Sequence, residues 1–80
     1  MNYSVVKVTF YVCSIEGEEL SPETRTYRHA YDNLSGPLED FIEARLAGEY
    51  SPEDYQIIID SIYLKDISDN EFYNSPLQEL

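Results

Sequence analysis

Carboxylates and tyrosines are the side chains of this chain whose spacing has chemical content. Tyr50 and Tyr55 bracket Glu53 and Asp54, Glu49 adjoins Tyr50, and Glu39, Asp40 and Glu43 lie just upstream. A carboxylate accepts charge-assisted hydrogen bonds from lysine or arginine, bidentately from arginine. Tyrosine offers contact area and a hydroxyl at low entropic cost, hence its enrichment at binding hot spots. The stretch Gly36–Tyr55, GPLEDFIEARLAGEYSPEDY, therefore reads as a surface for a basic partner. Glu39, Asp40, Glu43, Glu49, Glu53 and Asp54 would meet its cations, with Tyr50 and Tyr55 as anchors. The competing reading is that the tyrosines fill the core and its edges.

Other chemistry finds little support. Nucleophilic catalysis needs a base beside Cys13 or a serine, and the single histidine, His29, falls in a strand-like segment where a structural or surface role is expected. Cys13 reads as a small buried hydrophobe. Gly17, Gly36 and Gly48 are too scattered for a phosphate-cradling loop. Sixteen Asp and Glu residues offer so many carboxylate pairs that none is informative as an acid–base couple. The run Asp66–Glu71, DISDNE, lacks the alternating ligands and central glycine of a calcium loop. The expectation is a protein that is not an enzyme and carries neither metal nor cofactor.

Composition sets the remaining bounds. Eighty residues make one domain, burying only about 60% of its unfolded surface, which suffices for one modest core. The net charge of −11 repels nucleic acid and anionic lipid and speeds encounter with basic surfaces. Solubility alone would also account for it. One cysteine permits no internal disulfide, the N-terminus MNYSVVKVTF lacks the pattern of a signal peptide, and no apolar run approaches membrane-spanning length. A cytoplasmic protein with no direct nucleic-acid or membrane contact is expected.

The elements that must position these residues follow from periodicity. Tyr3–Ser14 alternates, with Val6, Val8, Phe10 and Val12 toward the core. After a turn-like, acidic Ile15–Glu23, a second strand is expected over Thr24–Asp32. Asn33–Pro37 breaks it, with Ser35 or Gly36 capping and Pro37 at the first helical position. Leu38, Phe41, Ile42 and Leu46 then keep helical spacing, and Gly48 stops the helix. Ser51–Asp54 could open a second helix, but the isoleucines that follow suit a strand over Tyr55–Lys65, bulged or bent at Asp60-Ser61. Residues 1–67 are read as a compact domain and 68–80 as a polar, partly docked tail, with Phe72, Tyr73 and Leu77 as anchors. The fold class is α+β: a small antiparallel sheet with one amphipathic helix on one face, in the order β-β-α-β.

In size, charge and general character the chain resembles the small acidic inhibitors encoded by phages, such as anti-CRISPR and anti-restriction proteins. It is similar in the same way to bacteriocin immunity proteins. The resemblance implies a cytoplasmic protein of a bacterial host that plugs the basic groove of a nuclease or nucleic-acid-binding complex, in part as a DNA mimic. It carries over no residue. A regulatory adaptor that dimerises through a sheet edge is the alternative expectation. Fuller mimicry would require Glu16, Glu18, Glu19 and Glu23, and also Glu49, Glu53 and Asp54, to share a side with Glu39 and Glu43.

Overall fold

Four apolar side chains at every second position of β1 (Asn2–Ser14) are wholly buried: Val6, Val8, Phe10 and Val12. That alternation makes β1 the central strand of a three-stranded antiparallel sheet ordered β2-β1-β3. The computed structural model describes residues 1–18, 21–32 and 36–80. β2 (Glu23–Tyr31) pairs with Asn2–Phe10, so that Val6 faces Tyr27 and Ser4 faces His29. β3 (Tyr55–Asp66) pairs along β1 from Ser4 to Ser14, with a register shift opposite Thr9 and Phe10 that leaves Asp60 as the bulged residue. The α+β class and the order β-β-α-β are as the sequence led us to expect, and so is the irregularity at Asp60-Ser61.

α1 (Leu38–Ala47) covers the Val6–Val12 face, with Ile42 and Leu46 fully buried against it and Leu38 partly so. Phe41 reaches only the rim, 37% exposed, because the helix turns it toward His29 rather than into the cluster. Pro37 is the N-cap (φ −57°, ψ 138°) and not the first helical residue, and among the described residues no side chain caps the helix. Its extended ψ suits the ring-locked φ. Ser35, a candidate cap, lies outside the described residues. Gly48 does end the helix, but in right-handed geometry (φ −73°). The chain leaves through a tightened turn in which Glu49 and Tyr50 donate to the Leu46 carbonyl at 3.0 and 2.8 Å. Gly17, at φ +94°, is the glycine whose conformation others would resist, in the turn that closes on Ser14.

The last residues dock on the other face and edge. α2 (Asp69–Tyr73) is short, so it relies on a capping box in which Ser68 accepts from the Glu71 amide and the Glu71 carboxylate accepts from the Ser68 amide. Its Phe72 ring, 4% exposed, lies 5.0 Å from Tyr3 on the sheet side opposite α1. Arg28 lies over that ring and donates to the Phe72 carbonyl at 3.0 Å. Beyond it the chain reaches the outer edge of β2. There the Arg28 amide donates to Gln78 O (3.0 Å) and the Leu80 amide donates to Arg28 O (2.9 Å). Among the described residues no helix is long and apolar enough to cross a membrane.

Candidate partner-binding surface

Helical spacing puts Glu39 and Glu43 one turn apart on the side of α1 that overlooks β3. The bulge turns Asp60 toward them, and the three acids line one groove of about 350 Å³ with Ile57, Ile59 and Ile62. Two like charges at i and i+4 cost a helix roughly 0.2–0.5 kcal/mol, and Asp60 adds a third. Glu39 is partly offset by the helix N-terminus, where Asp40 also sits. Glu43 lies too far along to benefit.

A second acidic depression forms at the far end of the sheet. Glu16 from the β1–β2 connection meets Glu53 and Asp54 from the α1–β3 turn, beside Ile15 and Tyr55. The backbone brings these segments together: the Ile15 amide donates to Asp54 O at 3.0 Å, while Asp54 and Tyr55 donate to Ser51 O at 3.0 and 2.8 Å. Between the two patches Tyr50 and Tyr55 make an edge contact at 5.7 Å, and both pack on the core. With Glu43, Pro52 and Ile57 they border a further hollow. These rings are thus core-edge residues that also present a rim.

Glu49 departs from the group. It and Glu23 both pair with Arg25, each at 3.2 Å, on the β2 side of the molecule. Asp40 is exposed on α1 and lines neither acidic depression. Of the loop acids that fuller mimicry would need, Glu16 joins Glu53 and Asp54, Glu23 is held by Arg25, and Glu19 lies outside the described residues. Asp60 is the groove acid given no binding role in the sequence reading, whereas Glu16 was considered only for fuller mimicry. Asp60 was visible as a break in an isoleucine run, but its meeting with the helix depends on the bulge.

The strand positions facing away from α1 are different in kind. Tyr3, Val5, Lys7, Thr9, Tyr11 and Cys13 of β1 lie there, flanked by Thr24, Thr26, Arg28 and Ala30 of β2 and by Gln56, Ile58, Ser61, Tyr63 and Lys65 of β3. None is a carboxylate. The acids of the strands and of α1 therefore lie on the helix side or at the ends of the sheet, with those of α2 at one end of the outer face. Cys13 is half-buried on this outer face rather than in the core, because its parity matches Tyr11 and not Val12.

His29 is structural. It is 5% exposed, stacked on Tyr31 at 5.2 Å and tilted against Phe41 at 5.4 Å, and among the described residues its Nδ1 has no hydrogen-bond partner. Burial holds its pKa below the usual histidine value, against a weaker opposite pull from Glu79. Ser4 Oγ, opposite it in register, is likewise buried without a partner. Among the described residues no set of three or more His, Cys, Asp or Glu is placed to hold a metal ion. No family model, curated protein or solved structure matches the chain.

Proposed function

We propose that this protein is a small acidic inhibitor that occupies the basic surface of a nuclease or other nucleic-acid-binding protein in the cytoplasm, in the manner of anti-CRISPR or anti-restriction proteins. One observation carries the reading. Glu39, Glu43 and Asp60 line one groove together with three isoleucines, a grouping of like charges that makes sense if cations of a partner complete the surface. Glu53, Asp54 and Glu16 extend the negative surface at one end, and Tyr50 and Tyr55 supply contact area between them.

The mimicry of nucleic acid is partial. Residues i and i+4 of a helix stand about 6 Å apart along its axis, whereas duplex DNA carries a charge every 1.7 Å or so. Glu39 and Glu43 replace a pair of phosphates and no more. The protein competes for particular arginines and lysines and does not trace the path of a duplex.

Displacement is the test. Purified basic nucleases carrying labelled duplex DNA are titrated with the protein at about 0.05 and 0.5 M NaCl, and anisotropy is followed. Displacement at low salt, weakened at high salt and abolished by joint Glu39→Lys, Glu43→Lys and Glu53→Lys substitution, is the expected result. Displacement that survives both changes would sink the proposal.

A further inference from the structure

The sheet has two outer edges, and the chain treats them differently. The edge of β2 receives the chain's own C-terminal residues through the Arg28 amide and carbonyl. The edge of β3, twelve residues long, is met by no described strand. Exposed edges are usually blunted by lysines, prolines or brevity. This one is long, contains no proline, and has one lysine, Lys65, near its end. Instead it exposes Ile58 (48%), Tyr63 (65%) and Leu64 (47%).

We propose that the β3 edge is the docking site for an extended segment of the basic partner, added to the sheet as a strand. This rests on the reading of the acidic surface above and gives it a geometry. A strand added to β3 points alternate side chains to the two faces of the sheet. One set meets Glu39, Glu43 and Asp60 beside α1. The other meets Ile58 and Tyr63 on the face whose strands carry no carboxylate. The segment that fits has lysine or arginine alternating with aliphatic or aromatic residues. Main-chain hydrogen bonds hold it, and the two unlike faces fix which way up it lies.

The same charges decide against a second copy as the occupant. Pairing β3 with β3 of another molecule would bring Asp60, Glu39 and Glu43 of both chains to one seam, between proteins that each carry −11. The bulge at Asp60 interrupts a long, regular self-pairing ladder. A basic strand is drawn by the charges that repel a second copy.

The test uses the full chain and a fluorescent peptide of about ten residues alternating arginine and valine, long enough to run along β3. Three further versions carry N-methyl groups on the arginine nitrogens, on the valine nitrogens, or on both. Methylation keeps every charge but removes backbone donors, and an extended strand turns the two sets of amides to opposite edges. Strand addition predicts binding weakened by about tenfold or more in the doubly methylated peptide, and unequal losses in the two singly methylated ones. Equal affinity of all four peptides, with binding still lost in high salt and in Glu43→Lys, overturns strand addition and leaves the acidic surface standing. Affinity indifferent to salt and to Glu43→Lys overturns the acidic reading itself. Absence of peptide binding, or a β3-mediated dimer in sedimentation, overturns the assignment of the occupant.

Discussion

His29 shows how much a single side chain can be asked to hold. It sits in the sheet opposite Ser4, stacked on Tyr31 and tilted against Phe41, with no partner for Nδ1 among the described residues. Burial favours the neutral ring over the imidazolium at that site, against a weaker pull from Glu79. Burial lowers its folded-state pKa below the ordinary value near 6.5. Between that lowered value and about 6.5 the unfolded chain binds more protons than the folded one, so stability rises with pH. The contribution is complete above about pH 6.5 and is lost as pH falls toward the folded-state pKa. Denaturant melts at about pH 7.5 and 5.5 should therefore show wild type losing stability relative to His29→Phe at the lower pH. A constant difference between the two proteins would show that the folded ring takes up a proton as readily as the unfolded one. None of this was readable beforehand: the alternation of β2 placed His29 on a face, but only the helix decides which face is dry.

At the scale of elements, α1 carries a conflict between folding and binding. Its inward residues Ile42 and Leu46 are buried at spacing i and i+4, as periodicity foretold. Its Glu43, beside Glu39 and near Asp60, gains nothing from the helix N-terminus. Glu43→Lys would turn a repulsive pair into an attractive one, with the acid of Glu39 one turn before the new cation, the favourable order at i and i+4. The expected outcome is a gain of roughly 0.5 kcal/mol in chemical denaturation, accompanied by weaker binding to the basic partner. A variant that loses stability would mean that Glu43 has a structural cation to hold, and would remove the argument for a cost borne for function. The elements themselves were legible because each rests on local periodicity: period two in β1 and β2, 3.6 in α1, an isoleucine run in β3. Their meetings were not. Glu49 is paired with Arg25, a residue 24 positions away, and Asp60 joins Glu39 and Glu43 only because the register slips by one residue at Thr9 and Phe10. Phe72 was foreseen as an anchor, but not the sheet face it would use, since that follows from Arg28 and Tyr3 pointing the same way.

For the whole molecule, folding and binding should respond to salt with opposite signs. The chain carries −11 and is 44 Å in its longest dimension against 18 Å in its shortest, so its acids are spread over patches rather than one cluster. Within each patch like charges repel in the folded state, and screening relieves them. The Debye length falls from about 10 Å at 0.1 M to about 3 Å at 1 M. Raising NaCl from about 0.05 to 0.5 M should thus raise the melting temperature of the free protein, because Arg25 with Glu23 and Glu49 forms a small exposed network that loses little by comparison. The complex should weaken over the same range, since its attraction is between opposite charges and any displaced counterions are released at binding. The opposition is useful: weaker binding in salt that coincides with a higher melting temperature cannot be blamed on unfolding. Scanning calorimetry of the free protein and anisotropy of the peptide complex, measured across one salt series, decide the matter. A melting temperature that falls with salt would mean that the acids are mostly satisfied within the fold, which would leave the carboxylate groove without a reason to await a cation.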